Sequence, residues 1–230
     1  MLAFAAICAQ IFWTGYQARF RHRKSGARPL IIATTESGSS ALKIPYSTRT
    51  LIGGAVLLGS IALLFSVAMI QARSSDDPGR QDGAYVWGAL AVVFWILLFI
   101  AIKYGRGFVL LDAQGILHHG GSFRSYLPWS GVEAIQPVQT DGPDILITAL
   151  DHTPWVRERL TRLWKADKPP AIPSDNGLGS KPAIHLRGVY FDVDPALVLA
   201  ILVFYGKHPD ARHELGTDAA LQRARGGAFG

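Results

Sequence analysis

The sequence predicts a membrane protein of mixed α and β class, with two or three transmembrane helices, an antiparallel sheet or small barrel, and a C-terminal helix. Three observations predict it. Residues 51–70 and 84–102 form apolar runs of 20 and 19 residues with no charge and no proline. Residues 2–17 form a further uncharged stretch of 16 residues. After Tyr104 the pattern changes to short apolar segments punctuated by Gly and Asp turns, the spacing of an antiparallel sheet.

At 1.5 Å per residue, a helix of either long run reaches about 28–30 Å, the hydrocarbon thickness of a bilayer. Lipid offers no partner to a backbone N–H or C=O, so a spanning run must be helical. The competing reading is a pair of core helices in a soluble protein, and two such runs in tandem are uncommon there. The intervening residues 71–83 carry Ser, Asp, Pro and Gly, which makes the pair a helical hairpin.

Composition agrees. Of 230 residues, 49% are hydrophobic and 17% charged, low for a soluble chain. The single cysteine, Cys8, excludes an intrachain disulfide and suits a cytoplasmic domain. The expected division is a short N-terminal membrane helix (1–18), a basic cytoplasmic segment (19–50), the hairpin (51–104) and a cytoplasmic domain (105–230). The last block is long enough for a core of its own.

The net charge of +6 is unevenly placed. Residues 19–49 carry seven basic side chains against one acid, and residues 71–83 carry two against three. Basic residues favour the cytoplasmic side of short membrane loops. The expectation is a multi-pass protein of the inner (cytoplasmic) membrane, with 71–83 outside and the C-terminal domain inside. The excess charge flanks apolar runs and no domain face, which argues against a nucleic-acid partner.

Taken in order, residues 2–17 precede a basic cluster, the reverse of a secretory signal, and read as a short helix either spanning or lying on the membrane. Residues 29–49 place two apolar stretches around Glu36-Ser37-Gly38-Ser39, a β-hairpin expected to join the cytoplasmic domain, with a plain linker as the alternative. In the long runs, Ala55 with Gly59, Ala62 with Ser66, and Ala84 with Gly88 are small-residue pairs four apart. They either pack the hairpin on itself or form a docking face for other membrane subunits.

Strands are expected over 107–112, 116–119, 123–129, 132–138 and 144–149. Residues 154–166 read as an inserted amphipathic helix. Trp155 and Trp164 fall on its apolar side and Arg157, Arg159, Arg162 and Lys165 on the other. That pattern suits a helix at the membrane surface, where cations meet lipid phosphates, or one packing its stripe on its own domain. Residues 168–181 read as a Pro/Gly loop, and 183–191 as two short strands meeting at Gly188. A helix over 195–205 follows, capped by Asp194, opened by Pro195, stopped by Gly206 and apolar on every face. Short helices are expected over 209–215 and 218–225, the second capped by Thr217.

No catalytic or cofactor pattern emerges. His118 and His119 are adjacent, so in a strand they point to opposite faces and cannot share a metal. His213-Glu214 lacks the second histidine of a zincin, and Gly105-Arg106-Gly107 lacks a dinucleotide-binding context. The spans hold no Asp, Glu, Lys, Arg or His, which argues against an ion path through this chain. The expectation is a protein that is not an enzyme, with no cofactor and no metal.

The hairpin, the stretch GFVLLDAQGILHHGG, the segment WSGVEAI and the ending VDPALVLAILVFYGKHPDARHELGTDAAL together resemble small actinobacterial membrane proteins with a PH-like domain. The resemblance covers roughly residues 29–225. Some such proteins are accessory subunits of mammalian-cell-entry (Mce) lipid-transport complexes. The resemblance therefore implies a non-catalytic subunit of a larger inner-membrane complex, a lipid importer, with membrane lipids and other integral membrane subunits as partners. The alternative is a stand-alone membrane-anchored PH-like module that binds lipid headgroups or a cytoplasmic protein.

Overall fold

The computed structural model describes residues 30–35, 38–121, 123–139, 143–151, 153–160, 172 and 180–229. The expected helix over 2–17 lies outside them, as does the Pro/Gly loop expected over 168–181 apart from 172, 180 and 181. Two compact units divide the chain, one helical (48–106) and one built from 30–47 and 107–229.

The helical unit is a hairpin of α1 (Thr48–Arg73) and α2 (Pro78–Tyr104). Both helices outrun their apolar cores, so the connection shrinks to residues 74–77. Asp77 caps α2 by accepting from the Gly79 N–H at 3.0 Å, and Pro78 fits the first turn, where its missing N–H costs nothing.

The second unit opens with β1 (Ile31–Thr34) and β2 (Ser40–Pro45), the expected hairpin. It is not a linker, because β2 pairs antiparallel with β3 (Phe108–Leu111) from beyond the helices. Then come β4 (Gly115–His119), β5 (Phe123–Pro128), β6 (Val132–Gln139), β7 (Pro143–Ala149), β8 (Val156–Arg159) and β9 (Ala183–Leu186). They form two antiparallel sheets, ordered β1-β2-β3-β4-β5-β8 and β6-β7-β9. Asp112 makes the turn between β3 and β4, its carboxylate accepting from the Gln114 and Gly115 N–H groups. A 3-10 turn, Trp129–Gly131, carries the chain from the first sheet to the second. Gly131 is required there, since a Cβ would overlap Thr153.

The core lies between the sheets. Leu42, Ile44, Val109, Leu111, Ile116 and Leu127 of the first sheet share it with Ile145, Ile147, Ile184 and Leu186 of the second. Helix α3 (Pro195–Lys207) completes it with Val198, Ile201, Leu202 and Tyr205, all fully buried. Asp194 caps α3 as expected, accepting from the Ala196 N–H at 2.9 Å.

Four local expectations fail. Of the two short strands expected over 183–191, only Ala183–Leu186 forms one, and Gly188–Tyr190 is a 3-10 turn. Residues 156–159 are strand β8, not part of a helix over 154–166. Val-Arg-Glu-Arg also alternates with period two, and the open edge of β5 offers a ladder, with Arg124 opposite Glu158 and Ser125 opposite Arg157. Gly206 does not end α3, which runs on to Lys207. The Arg212 guanidinium satisfies the last carbonyls instead, donating to Tyr205 O at 2.8 Å and Gly206 O at 3.0 Å. Gly206 serves packing, because a Cβ there would press on Ile135. Thr217 makes no side-chain cap to α4 (Asp218–Gly226); its hydroxyl donates back to Glu214 O at 2.7 Å. The last turns are held by the Arg223–Glu214 ion pair, in which the guanidinium keeps the carboxyl below the usual carboxylate range.

Candidate functional site

Two features of the molecule carry chemistry: the outer surface of the hairpin and a polar row inside the β unit.

The hairpin is exposed apolar surface almost all round. Only 6% of the apolar window of each helix is buried. Tyr85 is 78% exposed and Phe99 66%, with Ile52, Leu63, Ile70, Val92 and Ile96 in the same state. A core helix of a soluble domain would be covered. By length and composition, both helices are able to cross a membrane.

Most of the predicted docking residues are used inside the hairpin. Ala62 and Ala84 are buried, and Ala55 is half-buried. A Cβ at Gly59 would touch Leu98, and one at Gly88 would press on Met69 Sδ at 2.9 Å. The Ser66 hydroxyl donates to Ala62 O at 2.8 Å and accepts from Trp95 Nε1 at 3.4 Å. Phe65 packs beside Trp87 and Phe94 at ring-centroid distances of 5.7 and 5.4 Å.

Inside the β unit, one row of the first sheet is apolar and the next is polar. Leu111, Ile116 and Leu127 stand side by side across β3, β4 and β5. One step along, Val109, His118, Ser125 and Arg157 do the same across β3, β4, β5 and β8. His118 is 2% exposed, and Tyr46 Oη lies 2.7 Å from its Nε2. His119 points the other way and stacks on Phe108 at 4.9 Å. Burial drives the His118 pKa down to about 3, helped by the charges of His119, Arg157 and His185. The imidazole is therefore neutral at physiological pH.

Elsewhere in the β unit, Asp144 is buried, lies 3.1 Å from His185 Nε2 and accepts from the Gly188 N–H at 2.9 Å. Tyr46 also packs edge-on against Phe191 at 5.3 Å, and the two residues form an isolated antiparallel bridge. His118, His185 and Asp144 are buried and Tyr46 is partly buried, and their contacts hold the β unit together from within.

The predicted membrane-interface residues divide. Trp155, Arg157 and Arg159 lie in or beside β8, whereas Arg162, Trp164 and Lys165 lie outside the described residues. The Arg157 guanidinium stacks over Phe123 at 3.9 Å and lies 5.8 Å from the Trp155 ring, so its cation is spent within the unit.

On the outer face of the same sheet, Leu117, Tyr126, Val156, Arg124, Glu158 and Asp112 line a shallow groove of about 360 Å³. Two carboxylates against one guanidinium do not suit an anionic headgroup. Among the described residues no three His, Cys, Asp or Glu side chains are grouped to hold a metal ion.

No protein-family model, curated protein or solved structure matches the chain.

Sequence reasoning missed the Tyr46–His118 and Asp144–His185 contacts. A signal was present: in GILHH and FRSYLP, polar His118 and Ser125 continue the inward positions of Ile116 and Leu127. Pairing across β4 and β5 is what turns those two polar residues into one row.

Proposed function

We propose that the protein is a non-catalytic, membrane-anchored accessory subunit. Its hairpin spans the inner membrane and its β unit stands in the cytoplasm as a PH-like domain. The observation that carries this reading is the exposure of two long apolar helices. In water such a surface would aggregate, whereas in lipid it needs no further partner. The charge asymmetry supports the orientation, with the basic segment 19–49 inside and the acidic 71–83 stretch outside. A six-stranded and a three-stranded sheet followed by an apolar helix support the PH-like reading.

The partner is a larger complex of integral membrane subunits, a lipid importer of the mammalian-cell-entry type that the sequence resembles. The stand-alone headgroup-binding alternative draws no support from the outer groove, where carboxylates outnumber cations. Purification of the full-length chain in mild detergent, followed by mass spectrometry, tests the proposal. Permease-type membrane subunits recovered in stoichiometric amount support it. A monodisperse protein recovered alone at native expression level contradicts it.

A further inference from the structure

Within the β unit, the six-stranded sheet ends on β1 (Ile31–Thr34), and that edge is unguarded. The strand has no charge and no proline. Ile31 and Ile32 point to opposite faces and are 47% and 37% exposed. The other sheet edges differ. β8 carries Arg157, Glu158 and Arg159, β6 carries Pro137, and β9 is buried along its whole length. Charge, proline and cover are the usual protections of an edge against a further strand.

The register shows which backbone groups β1 leaves open. The Thr35 N–H donates to Ser39 O at 2.8 Å, so these two residues are a hydrogen-bonded pair. Such pairs recur at every second residue, which puts Ala33 with Ala41 and Ile31 with Lys43 in the same state. Ile32 and Thr34 therefore turn their N–H and C=O groups away from β2. Among the described residues no strand lies on that side.

An open edge takes a strand, and β1 is suited to take its own copy. Centred on Ala33, an antiparallel pair of β1 strands lets Ile32 of each copy exchange backbone bonds with Thr34 of the other. The open groups of Ile32 and Thr34 are then all used, Ala33 faces Ala33 across the dyad, and no charge meets a like charge. The contact is isologous, so it closes at two copies. A β1-to-β8 contact would be heterologous, would leave an edge free at each end, and would meet the three charges of β8. We propose that β1 is a dimerisation edge of the β unit, occupied by a second copy of this chain. Four residues a side fall short of the roughly 800 Å² per partner of a stable soluble dimer. The pairing therefore depends on the high local concentration of copies held in one membrane, and in that respect rests on the membrane-anchored reading above.

Disulfide cross-linking of the full-length protein in its native membranes, in a Cys8→Ser background with copper–phenanthroline as oxidant, tests the edge. Facing residues of a non-hydrogen-bonded pair have Cα atoms about 4.5 Å apart, within disulfide reach. Ala33→Cys is expected to give a cross-linked dimer of the chain, and the exposed Ser130→Cys is not. Adding Thr34→Pro removes an N–H that faces away from β2 and leaves the β1–β2 ladder in place. It is expected to lower cross-linking roughly 30-fold, about fivefold for each interchain bond lost. Ile31→Lys, which places a charge on the edge without altering the backbone, is expected to lower it too. Ala33→Cys cross-linking no better than Ser130→Cys overturns the proposal. So does undiminished cross-linking in either edge variant, and a cross-link to a different protein overturns the second copy as occupant. Carbonate extraction reports the anchor separately: release of the chain would overturn the membrane reading, whereas stable insertion without the Ala33→Cys dimer overturns the edge alone.

Discussion

The Tyr46 hydroxyl and the His118 imidazole are joined by a 2.7 Å hydrogen bond between β4 and the residue that follows β2. Removing the hydroxyl with Tyr46→Phe leaves a buried ring nitrogen unpaired, which typically costs about 1–3 kcal/mol. Pairing Tyr46→Phe with His118→Phe removes both polar groups and should recover part of that loss. A double-mutant cycle on thermal unfolding measures the coupling. Strictly additive effects would show that the contact contributes nothing.

Acid should weaken the same corner. An unfolded chain protonates His118 near pH 6.5, and the folded chain only near pH 3. Stability present above pH 6.5 is therefore lost as the pH falls from 6.5 toward 3, at about 1.4 kcal/mol per pH unit. By pH 5 the loss is about 2 kcal/mol. The comparison is between wild type and His118→Asn, which share every other titratable group. The wild type should lose more stability between pH 7.5 and pH 5. Parallel pH profiles would refute the assignment.

Helix α3 should be indispensable to the β unit. Ile201 is fully buried in the core of the β unit, so Ile201→Asp buries an unpaired carboxylate and should cost several kcal/mol, on the order of a small domain's whole stability. Lys207 lies exposed at the helix end, and Lys207→Asp should have little effect. Steady-state abundance of the two variants reads the difference. Normal abundance of Ile201→Asp with loss of copurifying subunits would make this helix a partner interface.

Within the hairpin, Gly88 and Gly54 make opposite predictions. A Cβ on Gly88 presses on Met69, whereas one on Gly54 meets nothing within 4 Å. Gly88→Leu should splay the helices and lower the amount of inserted protein, and Gly54→Leu should not. If Gly54→Leu is inserted normally yet loses its subunits on purification, the docking face runs past Gly54.

How much of this was legible in the sequence follows from the range of each interaction. The two helices were readable because the bilayer criterion is local: length and absence of charge suffice. Strands β3 to β7 were readable from their turns, and α3 from Asp194 and Pro195. Residues 156–159 were misread because both periods fit four residues, and only the open edge of β5, contributed by residues 30 positions earlier, decides between them. Gly206 was misread for a similar reason. The satisfaction of the α3 carbonyls comes from Arg212, a tertiary partner that no capping rule registers. The polar row around His118 needed cross-strand register, which the sequence does not print.

The most direct measurement is thiol labelling in intact cells, in a Cys8→Ser background, with an impermeant maleimide. Ser74, in the hairpin connection, and Ser130, at the corner between the sheets, are both exposed. Ser74→Cys should label in intact cells and Ser130→Cys only after permeabilisation, since the two helices carry the chain out and back. Labelling of Ser130→Cys in intact cells, or recovery of the chain in the soluble fraction, would contradict a spanning hairpin with a cytoplasmic β unit.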